Sequence, residues 1–141
     1  MAANKEPIFP ATPNISWGTI SAANTAKDGS GTVVTVFTAG LNGSRVDALK
    51  VRHLGTNVAT VLRIFVNNGS SNSTPTNNIL FHEVTIPAAT LSEVSALADT
   101  VVLFDGQDLP QLVLEPNQKL NVTIGTAVAA GLAITVIGGD Y

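Results

Sequence analysis

A chain of 141 residues is long enough to bury about two-thirds of the surface its unfolded form exposes, so a single domain can fold without staples. It holds two histidines and no cysteine, which excludes a disulfide framework and any thiolate metal site. Its net charge of −3, with only 12% of residues charged, argues against a nucleic-acid binder, because neutralising phosphates needs a clustered excess of Lys and Arg.

Residues 1–15 carry Pro7, Pro10 and Pro13 around Ile8 and Phe9, and prolines at that spacing prevent both a helix and a central strand. The reading is an extended N-terminal arm ahead of a single domain at 16–141. Ile8 and Phe9 are expected to dock on the domain or on a neighbouring copy, since apolar side chains on an arm are wasted in water. The N-terminus lacks the charged-then-apolar layout of a secretory signal, and the apolar runs 101–104 and 127–130 are far too short to cross a bilayer. The expectation is a protein made inside a cell and not inserted in a membrane.

From residue 16 onward, β-rich stretches alternate with turn chemistry, and the predicted strands are 16–20, 32–38, 45–54, 59–67, 78–86, 100–104, 111–114, 119–126 and 132–137. In 33–38 and 61–66 apolar residues occupy both faces, which predicts strands that are central or covered on both sides. Around Val46, Ala48, Leu49 and Val51 the alternation slips by one residue, as a bulge would make it do. Leu120, Val122 and Ile124 alternate with Asn121 and Thr123 and predict a half-buried strand. Asn42-Gly43 and Asn68-Gly69 are dipeptides favoured in tight hairpin turns, although 67–78 is long enough to be a true surface loop. One short helix is predicted at 90–98, where Thr90 and Glu93 have capping-box spacing and Leu91, Val94, Leu97 and Ala98 would share a face. Eight or nine short strands with almost no helix predict an all-β fold. A two-sheet antiparallel β-sandwich, jelly-roll-like, is preferred over a barrel.

Residues that could carry chemistry are sparse. His53 and His82 lie within strand patterns, and Glu83, next to His82, points to the opposite face, which weakens any metal or acid–base pairing. Asp105, Asp108 and Glu115 are the densest acidic group, but Leu109 and Pro110 break the alternating ligand order of a calcium loop. Gly29-Ser30-Gly31 precedes a strand, not a helix, and no Gly-x-Ser-x-Gly elbow occurs. The Asn-x-Ser/Thr triplets at Asn14, Asn42, Asn68, Asn72 and Asn121 follow from a composition rich in those residues. Aromatic residues make up 5%, too few for a stacking platform, and Trp17 reads as a core or interface anchor in preference to a sugar stack. Tyr141 is placed to lie on a neighbour or to cap the sandwich. No catalytic, cofactor or metal site is expected.

Several strings carry a likeness. They are Met1-Ala2-Ala3-Asn4-Lys5 with Pro7-Ile8-Phe9, Thr12-Pro13-Asn14-Ile15, Trp17-Gly18, the stretch 24–29, and the closing segments 120–126 and 136–141. Together the chain resembles small virion proteins of tailed bacteriophages, including those that infect cyanobacteria. The resemblance implies a capsid decoration, or cement, protein: a β-sandwich on the outside of the head shell, often trimeric, that locks neighbouring subunits of the major capsid protein together. On that reading Ile8, Phe9, Trp17 and Tyr141 are interface residues and the 67–78 loop faces outward. The alternatives are a tail or head-fibre module that binds a receptor or carbohydrate, a lectin-like module, and a small β-sandwich enzyme such as a depolymerase or cupin-like metalloprotein.

Overall fold

The computed structural model describes residues 9–141. Nine strands form two antiparallel sheets, and among the described residues the only helical element is one 3-10 turn, Pro75–Asn77. The strands are β1 (Thr12–Ile20), β2 (Val34–Thr38), β3 (Ser44–His53), β4 (Thr60–Asn67), β5 (Asn78–Ile86), β6 (Thr100–Leu103), β7 (Leu112–Leu114), β8 (Lys119–Ile124) and β9 (Leu132–Asp140). The first sheet runs β1-β9-β3-β6, with β7 sharing the β6 side of β3, and the second runs β2-β8-β4-β5. The hydrogen-bonded pairs β1·β9, β2·β8, β3·β6/β7 and β4·β5 are therefore nested within one another along the chain.

The core lies between the sheets, where the inward residues of alternate positions meet: Leu132, Ile134 and Val136 of β9, Val46, Leu49 and Val51 of β3, Leu62 and Ile64 of β4, and Leu120, Val122 and Ile124 of β8. The slip in β3 is a bulge at Asp47, since Val46 pairs with Gly138 while Ala48 pairs with Ile137. It restores the inward set on both sides of the extra residue. Gly138 is required there, because a Cβ on it would stand 2.3 Å from the Arg45 carbonyl oxygen.

Three expectations need correction. Strand β1 begins at Thr12, so residues 12–15 are sheet and not arm; Pro13 is tolerated because β1 is an edge strand. The segment 90–98 is irregular, with Val94 fully exposed: its apolar residues find no sheet to pack on, and a helix this short does not hold without tertiary support. Asn42-Gly43 joins strands of different sheets and so is not a hairpin turn, although Gly43 does take positive φ. The expectation that 33–38 is central or covered on both sides is met by cover: β2 is an edge of its sheet, but Asn72 of the 68–77 loop bonds Thr35, and Gly18 of β1 comes so close that a Cβ would meet Val36 Cγ1 at 3.2 Å.

Strand β8 departs further from the half-buried reading, because Asn121 and Thr123 are as buried as the apolar residues between them. The cover on that face is the chain itself. Segment 21–33, which carries the chain from the first sheet to the second, and loop 68–77 fold back over the outer face of the second sheet. Asn24 N–H donates to the Ile124 carbonyl at 2.8 Å, and Asn78 Nδ2 donates to the Gly29 carbonyl at 3.2 Å. Beneath them lies Phe65, fully buried but outside the central core cluster.

Amide side chains fasten this cover. Asn78 Oδ1 accepts from Asn67 Nδ2 at 2.8 Å and Asn121 Nδ2 at 3.0 Å, while Asn78 Nδ2 also donates to the Asn72 carbonyl at 3.0 Å. Asn121 Nδ2 donates to Asn72 Oδ1 at 3.0 Å, and Asn121 Oδ1 accepts from Thr35 Oγ1 at 2.7 Å. The network is closed by Asn72 Nδ2 donating to Thr35 Oγ1 at 2.9 Å. Among the described residues only Thr123 Oγ1 is a buried side-chain polar atom without a partner.

Candidate interaction surface

The two sheets differ in how their outer faces are covered. The second is roofed by its own loops. The first, whose outward positions would normally be polar in an antiparallel sheet facing water, presents apolar residues instead. The pairing register assembles them in rows: Ile15, Ile137, Ala48 and Leu103 stand side by side across β1, β9, β3 and β6, and Trp17, Thr135, Lys50 and Val101 form the next row. Trp17 is 73% exposed, Ile15 54% and Val101 51%, and Val113 on β7 extends the patch beside Arg45. Of the large hydrophobic residues exposed among the described residues, about half lie on this one face. Such clustering marks an interaction surface, whereas scattered exposed leucines do not.

The charges on and beside this face are paired with one another. Arg45 Nε lies 2.8 Å from Asp47 Oδ1, Lys50 Nζ lies 2.9 Å from Asp99 Oδ2, and Arg52 reaches the other oxygen of Asp99. The hydrogen bond from Lys50, with the positive charge of Arg52 beside it, holds the Asp99 carboxyl below the usual carboxylate range. Nothing here offers the unpaired cationic stripe that a phosphate backbone would need.

At the end of the sandwich where β1 begins and β9 finishes, Asp140 forms a polar node on the side that faces the second sheet. Its Oδ1 accepts from Asn14 Nδ2 at 2.9 Å and from Ser44 Oγ, and Ser44 Oγ accepts the Gly40 N–H at 2.9 Å. Burial pushes the Asp140 carboxyl up, but hydrogen bonds from Ser44, Asn14 and the Gly40 N–H outweigh it and leave the group below its ordinary value. A carboxyl depressed on folding contributes stability that is present above its unfolded value, about 3.9, and is lost as pH falls through the lower folded value. The expected result is an unfolding midpoint that is flat from neutral pH to about pH 5 and falls below about pH 4, with a shallower fall in Asp140→Asn. Urea melts of both proteins across that range check it.

The other residues singled out from sequence do not converge. His53 Nδ1 faces Asn57 Nδ2 at 3.2 Å, and Asn57 in turn donates to the Gly131 carbonyl and accepts from Ala130 N–H, both at 2.9 Å, so this is a buried structural cluster tying loop 127–131 to β3. His82 stands opposite core residue Ile64, while Glu83 pairs with Arg63 (Nε to Oε1 2.7 Å) on the other face. Asp105 Oδ1 accepts from the N–H groups of Gln107 and Asp108, first in importance Gln107, which lowers its carboxyl and commits it to its own turn. No group of three or more His, Asp or Glu gathers as a metal site among the described residues.

Of the expected interface residues, Ile8 lies outside the described residues. Phe9 is 74% exposed beside a shallow groove formed with Pro10, Arg45, Asp47, Gly138 and Gly139, at the same outer face as Trp17. The core alternative for Trp17 is thereby removed. Tyr141 sits past the end of β9, its N–H on the Gly43 carbonyl at 3.2 Å, so it does not join Trp17 in one patch. Sequence reasoning missed Ile15, Ile137, Val101 and Leu103. The signal was present in β1, where Ile15 and Trp17 share a parity opposite to that of buried Ile20, but an apolar residue in a strand reads as core by default. Comparison with protein-family models, with curated proteins and with solved structures finds no match for this chain.

Proposed function

We propose that this chain is a structural virion protein, a capsid decoration (cement) protein that sits on the outside of a phage head, associates with itself and contacts the major capsid protein. The observation that carries the reading is the contrast between the sheets: one outer face is sealed by the protein's own loops, and the other is left apolar, with its charges paired among themselves. A protein that works by covering and being covered by other proteins needs such a face and no catalytic group. The nested strand order supports the jelly-roll-like reading of the sandwich, an architecture that recurs in viral capsid and lectin domains. Trimeric assembly is what the sequence resemblance implies.

The test is quantified co-sedimentation of the purified protein with empty head shells of the phage that encodes it. Saturation at hundreds of copies per shell is the expected result. No binding, or a few copies per particle, overturns the decoration reading. The second reading, a tail or head-fibre module for a receptor glycan, is favoured by one observation, the exposed indole of Trp17. It predicts glycan binding that Trp17→Ala abolishes.

A further inference from the structure

We infer that the outer face of the β1-β9-β3-β6 sheet is a self-association surface, on which a second copy of this chain packs face to face. The inference deepens the proposed reading, since it rests on the part of that reading in which the protein assembles with itself, and it specifies where and as a symmetric pair, in place of the trimer that the resemblance implies.

Three observations select a second copy over other occupants. The first is charge. Every cation on the face has an acidic partner on the same face or at its rim: Arg45 with Asp47, and Lys50 and Arg52 with Asp99. One excess positive charge remains. An anionic membrane or a polynucleotide would find its counter-charges already occupied, whereas an identical face brings only one like charge, largely screened at physiological salt, and can exchange these ion pairs across the interface.

The second is area. Trp17, Ile15, Ile137, Val101, Leu103 and Val113 together leave on the order of 500 Å² of apolar surface in water, scaled from the 150–250 Å² of a large aromatic side chain. That matches the apolar part of an interface burying about 800 Å² per partner, with Arg45 and Arg52 supplying polar rim groups at the two ends of β3.

The third is relief. The bulky apolar residues stand mostly on the two flanking strands, Ile15 and Trp17 on β1 and Val101 and Leu103 on β6, while between them half-buried Ala48, Ala133 and Thr135 alternate with exposed Ile137, Lys50 and Arg52. Large and small side chains thus alternate on one surface. A symmetric pair needs this property, because the same patch must serve as both halves of the contact. Trp17, a rigid aromatic on the β1 flank, is the anchor.

The experiment is sedimentation velocity of the wild-type chain and of Trp17→Asp, Val101→Asp and Ile79→Asp between about 1 and 100 µM, concentrations spanning micromolar self-association. Ile79 is an exposed apolar residue of β5, on the other sheet, and serves as the control. The expected result is a wild-type oligomer that both face variants weaken at least tenfold and Ile79→Asp leaves unchanged, with all four melting at similar temperatures. Trp17→Asp and Val101→Asp lie on opposite flanks, so if either fails to fold the other still decides. A monomeric wild type, or an oligomer indifferent to both face variants, overturns the inference. The shell-binding assay separates the two claims: a monomer that saturates shells overturns the self-association face alone, and an oligomer dissociated by face variants that never binds shells overturns decoration alone.

Discussion

Asn78→Ala is expected to destabilise the protein by about 4 kcal/mol, more than a typical buried-hydrogen-bond deletion, because it removes a hub and not a single bond. Asn78 is buried, and its amide serves four partners: Asn67 and Asn121 donate to it, and it donates to the carbonyls of Gly29 and Asn72. Alanine leaves two donors and two acceptors in a space the roofing loops close to water, and each unsatisfied buried group costs about 1–3 kcal/mol. Relaxation and water entry keep the sum below the simple total. Asn78→Asp is expected to be at least as damaging at neutral pH, since an ionised carboxylate would face two carbonyl oxygens, and to recover partly in acid, where a protonated carboxyl can donate to one of them. Urea unfolding of the three proteins at pH 7 and pH 5 measures both effects. A loss under about 1 kcal/mol for Asn78→Ala would mean that water satisfies these groups and that the roof is open.

The second large effect is expected at Phe65. Phe65→Ala should cost about 3–5 kcal/mol, the figure for an aromatic deleted from a central core, although this ring points away from the space between the sheets. The reason is that it is fully buried beneath segment 21–33 and the 68–77 loop, paired across strands with Asn121 and Leu80. Removing it leaves a cavity under a lid whose backbone is tied down by amides and cannot collapse freely. Leu62→Ala, three positions earlier in β4 and so on the inner face, is the comparison. Equal costs would establish two cores on either side of one sheet. A small cost at Phe65 with a large one at Leu62 would show that the roof is lightly held.

Much of the architecture was readable from local pattern. Period-two alternation placed all nine strands within a few residues, and the slip between Val46 and Ala48 located the bulge, because a one-residue change of parity leaves a visible trace in any strand with a buried face. What alternation does not carry is which neighbour covers which face. Asn67, Asn72, Asn78 and Asn121 look like solvent-facing turn and strand residues, and only the long-range register that sets Asn67 against Asn78, and Phe65 against Asn121, turns them into a buried network. The same limit hid the bare apolar face. Ile15, Ile137 and Leu103 are apolar residues in strands, and nothing local distinguishes a strand face that another sheet covers from one left bare. The helix expected at 90–98 failed for the complementary reason: its pattern was sound, but no surface is offered for its apolar side.

The register of β1 against β9, from Thr12↔Asp140 to Ile20↔Leu132, sets a condition on biosynthesis. Since β9 lies between β1 and β3, the ribosome must deliver the last strand before the first can find its partner, and the sheet stays split along its middle until then. Elongation therefore proceeds with an unpaired edge at β3 and another at β1, each able to recruit a strand from a neighbouring nascent chain. A transcript interrupted before residue 132 would yield a product that lacks the middle of a sheet, not a shortened domain. Cellular quality control would be expected to clear such a product.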